Sequence, residues 1–122
     1  MSQITRSMFV IAVPDLAQSA TWYRDVLGFE VREIGDPGWR IFQRGICEIM
    51  AGDCPGAPTA HATGNHSYFA YLDVDGIDAY YAEVVAAGAE LIKPLRDEPW
   101  GRREFGVTTI DGHRIMFGAA IA

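Results

Sequence analysis

Two stretches of the chain repeat one hydrophobic pattern. Residues 8–31 read MFVIAVPDLAQSATWYRDVLGFEV, and residues 69–91 read FAYLDVDGIDAYYAEVVAAGAEL. A shift of 61 residues places Met8 on Phe69, Val13 on Val74 and Leu16 on Ile77. Each stretch predicts a short strand, an amphipathic helix, a glycine and a second strand. In the first, Leu16, Ala20, Tyr23 and Leu27 fall on one stripe, which predicts a helix over 15–27. In the second, Ile77, Tyr80, Tyr81, Val84 and Val85 form the buried face of a helix over 77–87 or 78–87. The aromatic residues on these faces are read as core. Gly28 and Gly88 stand where a helix end takes a left-handed residue.

Three further strands follow each helix. In the first half they are 30–34, 39–43 and 46–51, with turns at 35–38 and at Arg44-Gly45. In the second they are 89–93, 103–109 and 113–118. Asp111-Gly112 closes the last hairpin, because a type I′ turn needs positive φ at both central residues. Residues 52–65, rich in Gly, Pro, Ala and Thr, read as a linker. The prediction is an α+β fold of one domain over 1–122. It consists of two tandem βαβββ modules, 1–51 and 66–122, forming curled mixed sheets around a cavity with the helices outside.

Composition narrows the function. With 49% hydrophobic and 21% charged residues, the chain is an ordinary globular sequence. Its apolar runs are too short for a membrane span, and its start lacks the long apolar core of a signal peptide. A cytoplasmic protein is expected. The net charge of −6 disfavours nucleic acid and would concentrate a cationic ligand. Cys47 and Cys54 have neither CxxC nor metal spacing and read as reduced thiols. Ser2, Ser7, Ser19 and Ser67 have no paired His and Asp in a recognisable setting, so no catalytic residue is assigned.

The phrases VPDLAQSATWYRDVLGFEV, YLDVDGIDAYYAEVVAAGAEL and PWGRREFGVTTIDGHRIMFG resemble the vicinal oxygen chelate superfamily over about 110 residues. That superfamily holds glyoxalase I, extradiol dioxygenases, and the fosfomycin- and bleomycin-resistance proteins. The last phrase is similar to the bleomycin-resistance branch. Arg102 is an extra residue between PWG and REF, and Thr-Ile-Asp-Gly stands at the hairpin. Metal-dependent members place His, Gln, Glu or Tyr once in each module's first strand and once in its last. Counting from the motifs puts Met8, Phe69, Ile49 and Met116 there, all apolar. The resemblance then implies no metal and no other cofactor. The alternative is a metal-dependent enzyme of glyoxalase or dioxygenase type, with Glu48 and His66 as ligands; a binding protein for an unrelated metabolite is a further alternative.

Alternation puts Tyr71 and Asp73 on the face of Phe69, and Arg114 on the face of Met116. Trp39 and Trp100 stand at turn edges, and Arg103 opens the strand after Trp100. The expected ligand-binding set is Trp39, Ile49, Phe69, Tyr71, Trp100, Arg103, Arg114 and Met116. Trp39 reads equally as a hairpin aromatic packed on its own strand. Flat aromatic walls suit a planar cation, each stacking or cation–π contact supplying about 0.5–2 kcal/mol. In the branch it resembles, aromatics at the places of Trp39 and Trp100 sandwich a drug's ring system. The implied ligand is a bleomycin-type antibiotic, sequestered without chemistry. The implied assembly is a homodimer with the groove at its interface and with exchange of the first strand. Half-open sheets in so short a chain leave apolar edges to be covered.

Overall fold

The computed structural model describes residues 2–121. The strands are β1 (Phe9–Val13), β2 (Glu30–Glu33), β3 (Trp39–Arg44), β4 (Cys47–Asp53), β5 (Tyr68–Asp73), β6 (Glu90–Asp97), β7 (Arg102–Thr108) and β8 (Arg114–Ala120). Helix α1 (Leu16–Asp25) follows β1, and α2 (Ile77–Ala86) follows β5. A 3-10 segment, Ala60–Ser67, joins the halves. β4 runs on through Gly52 and Asp53, so the strand takes two residues of the expected linker. No helix among the described residues is long and apolar enough to cross a membrane.

Each half forms a four-stranded mixed sheet, ordered β1-β4-β3-β2 and β5-β8-β7-β6. The first strand of each half pairs in parallel with the last, and the remaining pairs are antiparallel. This is the doubled βαβββ plan, and β1 lies on β4 of its own chain.

Local chemistry explains the helix ends. The Asp15 carboxylate accepts the Gln18 amide at 3.0 Å and caps α1. Gly28 follows at φ 73, a conformation that a Cβ disfavours. Leu16, Ala20, Tyr23 and Leu27 are buried as their spacing predicts. On α2, Ile77, Tyr80 and Val84 are buried, but Val85 is exposed, because the sheet covers a narrower arc of the helix than expected.

Each helix packs on one face of its sheet and leaves the opposite face open. On the helix side, residues of both modules merge into one core. Tyr23 stacks on Phe42 at 4.6 Å, and Phe105 stacks on Phe117 at 4.9 Å. Two hydrogen bonds tie the modules together: Ser19 Oγ to Asp111 Oδ2 at 2.7 Å, and Tyr80 OH to the Leu27 carbonyl at 2.7 Å.

Candidate functional site

Strand register assigns each side chain to a face. In β4, Ile49 faces Phe42 and belongs to the core, fully buried. Its neighbours Glu48 and Met50 therefore point to the open face. This corrects the expected position of Ile49. The count from the hairpin glycines assumed equal turns. Arg44 pairs directly with Cys47 across a two-residue turn, whereas Thr108 pairs with Arg114 across a longer one. The unequal turns shift the count by a residue and so reverse the face. In register, Val10 faces Met50 as Tyr71 faces Met116, so Met50 is the counterpart of Met116.

Phe69 is also displaced. The β5–β8 register shifts between Tyr68 and Ala70, and Phe69 turns inward to meet Phe9 and His113 edge-on, each at 5.6 Å. Arg103 lies on the helix side of β7, where it pairs with Asp78 of α2 at 3.0 Å and Asp97 at 2.6 Å. The open-face arginine is its neighbour Arg102, which bonds Asp73 and, at 3.1 Å, the Tyr71 hydroxyl.

The open face of module two is built on Glu104. Its carboxylate accepts the Tyr71 hydroxyl at 2.7 Å, the Lys93 ammonium at 2.9 Å and the Trp100 indole N–H at 3.2 Å. Only 7% of the Glu104 side chain is exposed. Lys93 also bonds Glu98 at 3.2 Å and lies 5.6 Å from the centre of the Trp100 ring. Trp100 is 61% exposed and Tyr71 45%, so their rings line the open surface while their polar ends are fixed below it. Pro99-Trp100-Gly101 turns the chain here, with Gly101 at φ 83. Met116 is half-buried beside Gly106. Arg114 bonds Asn65 and covers the Tyr68 ring at 5.4 Å.

The electrostatics of this floor are settled at neutral pH. Burial alone would raise the Glu104 pKa, but the hydrogen bonds from Tyr71, Lys93 and Trp100 outweigh it and bring it to about 2. Burial raises the Tyr71 phenol, and the bond to Glu104 raises it further. Burial would lower Lys93, but its bonds to Glu104 and Glu98 raise it. The bond from Arg96, helped by that from Lys93, holds Glu98 below its ordinary value.

The open face of module one carries Trp39 over Gly52. Glu48 is gripped there by Arg6 at 2.5 Å and Arg32 at 2.9 Å. The alternative metal pair is thus not assembled as ligands: Glu48 is bound by two guanidinium groups, and His66 lies exposed on the 3-10 segment. No cluster of three or more His, Cys, Asp or Glu able to hold a metal is present among the described residues. A cleft of about 700 Å³ opens between the β3–β4 turn and the start of α2. It takes in Tyr71 from the expected set, together with Cys47, Glu48 and Asp73. Burial, then Glu48, pushes the Cys47 thiol up to about 11, which suppresses the nucleophilic thiolate.

Glu104 is the residue that sequence reasoning left without a binding role. The signal was present in the alternation of β7. Arg102, Glu104 and Gly106 share a face, so the alternation places the carboxylate on the open side of the strand with Arg102.

Residues 5–117 match the family described as Glyoxalase/Bleomycin resistance protein/Dioxygenase superfamily. No curated protein matches the chain. Among solved structures, the chain is similar to TioX from Micromonospora sp. ML1, at 24% identity and a TM-score of 0.73, with 97% of this chain and 98% of that one covered. It is similar to a glyoxalase-related enzyme from Clostridium phytofermentans, at 18% identity and a TM-score of 0.77, covering 98% of both chains. A glyoxalase/bleomycin resistance protein/dioxygenase from Nocardioides gives 20% identity and a TM-score of 0.72, covering 99% of this chain and 86% of that one. At these identities the structural likeness establishes the fold.

Proposed function

The chain belongs to the Glyoxalase/Bleomycin resistance protein/Dioxygenase superfamily, and on that premise we propose that it binds a planar, cationic small molecule and sequesters it without chemical change. One observation carries this reading. Tyr71 and Trp100 stand exposed on an open sheet face, and one ionised carboxylate fixes them both. Rigid aromatic surfaces gain stacking and cation–π energy while losing little side-chain entropy on binding. The same floor supports binding over catalysis. Glu104, Lys93 and Tyr71 are each shifted away from neutrality, so none is poised to exchange a proton at pH 7.

One sheet face covers only one side of a planar ligand. Val10, Tyr68 and Tyr71 are exposed on the open faces, and Ile46 is fully exposed at the β3–β4 turn. A second copy of the chain would cover this surface and close the groove, so the binding form is proposed to be a homodimer.

The test is a titration of intrinsic Trp fluorescence with a bleomycin-family drug after dialysis against a chelator. Wild type should show saturable quenching at one drug per chain. Trp100→Ala should weaken binding by about tenfold, the worth of one stacked cation. A flat titration of the wild type would remove the drug reading, and a sedimentation run giving one chain per particle with drug bound would remove the dimer.

A further inference from the structure

Each open face has a glycine where a side chain would block an aromatic ring. In module one, Gly52 of β4 faces Ala12 on β1 and Trp39 on β3. A Cβ on Gly52 would lie 2.8–3.0 Å from three carbons of the Trp39 ring. In module two, Gly118 of β8 faces Asp73 on β5 and Glu104 on β7. A Cβ there would lie 2.7 Å from Tyr71 Cζ and 3.2 Å from Glu104 Cγ. The 61-residue shift carries Ala12 onto Asp73, so the two glycines occupy the same place in the doubled plan.

Neither glycine has positive φ, so the backbone does not require glycine at either position. What each supplies is empty space above the sheet. The space matters most in module two. β8 lies between β5 and β7, so Tyr71 reaches Glu104 only by crossing β8 at Gly118. In module one the ring comes from the strand directly opposite. The modules thus use one vacancy in two ways: in module one the Trp39 ring lies in it, and in module two the hydroxyl end of Tyr71 does. A ring in that posture presents its face to a ligand; a ring pushed up by a methyl group would present its edge and fill the groove.

We infer that Gly52 and Gly118 set the specificity of the open faces, by seating Trp39 and Tyr71 as two stacking plates that select flat aromatic ligands over globular ones of the same charge. The ligand side of this inference rests on the binding function proposed above; the seating does not.

Two flat-versus-globular probes test it: proflavine, a flat tricyclic cation, and 1-adamantylammonium, a globular one. Wild type should prefer proflavine by about tenfold or more, and Gly52→Ala and Gly118→Ala should each remove most of that preference. The seating has its own readout. In protein labelled at the tyrosine ζ-carbon, the Tyr71 phenol should titrate above its ordinary value, and Gly118→Ala should bring it back towards that value as the bond to Glu104 breaks. Tyr71→Phe assigns the signal. If Gly118→Ala does not fold, Gly118→Ala combined with Tyr71→Ala removes the ring it would strike, and should fold without the flat-ring preference. An unchanged Tyr71 titration in Gly118→Ala overturns the seating. A wild type that prefers the globular cation overturns the selectivity. A wild type that binds neither probe removes the selectivity along with the binding function, while the titration still decides the seating.

Discussion

The Tyr71 hydroxyl and the Glu104 carboxylate meet at 2.7 Å across an intervening strand. The contact joins the edge strand β5 to β7 and leaves Glu104 holding three donors. Its pKa of about 2 lies below the ordinary 4.5, so the carboxylate favours the folded state when ionised. That contribution is fully present above about pH 4.5 and is lost as pH falls towards 2. Urea midpoints measured across this range should fall more steeply for wild type than for Glu104→Gln. Parallel acid limbs would show that Glu104 does not carry the linkage.

Removing the carboxylate altogether should cost more than the hydrogen bonds alone. Glu104→Ala leaves Lys93 with Glu98 as its remaining acid, leaves the Tyr71 hydroxyl with Arg102, and takes away the Trp100 indole's acceptor. Losing hydrogen bonds to a charged group of this kind costs on the order of 3 kcal/mol. The variant should also shift Trp100 emission to the red, as the indole loses its anchor. A variant as stable as wild type, with unchanged emission, would contradict the picture of Glu104 as the hub of the floor.

Much of this was legible in the chain because periodicity survives without knowledge of the fold. The doubled pattern, both helices and the edge position of Trp100 follow from spacing and turn chemistry alone. The last hairpin does reverse at Asp111-Gly112, but not as the expected type I′ turn: the Gly112 amide bonds the Thr109 carbonyl at 2.9 Å, and Gly112 takes positive φ while Asp111 does not. The face of a strand residue is a finer quantity, fixed by parity. Ile49 was placed on the wrong face because one hairpin turn is shorter than its counterpart. Phe69 was misplaced by a register shift that no spacing rule announces. The extra residue at Arg102 disguised which arginine faces outward, and Arg103 went to Asp78 and Asp97 instead. Net charge is coarser still, because it does not say how charges pair: on and beside the open faces Arg6 and Arg32 meet Glu48, Lys93 meets Glu98 and Glu104, and Arg102 meets Asp73.

The two cysteines should separate cleanly by chemistry. Cys54 is exposed, while Cys47 is half-buried with its thiol raised to about 11 by burial and Glu48. At about pH 8 a soluble disulfide reagent should modify Cys54 at least about tenfold faster, since the thiolate is the reactive form. Equal rates would mean that Cys47 is more open, and more readily ionised, than its surroundings imply.

Tyr23 carries an unsatisfied group at the centre of the core. The side chain is fully buried against Phe42 and Phe29, and its hydroxyl has no hydrogen-bond partner. Burial, then the nearby Asp111, drives its pKa far up. A buried hydroxyl without a partner costs about 1–3 kcal/mol. Tyr23→Phe keeps the ring and removes that cost, so thermal unfolding should move up by several degrees, roughly in proportion to about 1 kcal/mol. A destabilised variant would reveal a partner for the hydroxyl, most simply a bridging water.

Asp111 gives the opposite sign from Glu104. Burial raises its pKa, the Ser19 hydrogen bond and His61 pull it down, and Asp15 raises it again. The net shift is upward, so the protonated form is the one the fold favours. Its contribution to stability is present below the ordinary value of 3.8 and is lost as pH rises through the folded value. Asp111→Asn keeps an oxygen for the Ser19 hydroxyl at 2.7 Å and leaves in place Gly112, the residue of this turn that takes positive φ. It also removes a buried charge from the junction of the two modules. The variant should therefore be more stable than wild type at neutral pH, with the advantage vanishing below about pH 4 as the wild-type carboxyl protonates. Unfolding midpoints at the two pH values decide it. If the variant is less stable at neutral pH, the ionised carboxylate is a net stabilising strap between the modules, held by Ser19 and His61 more strongly than burial opposes it.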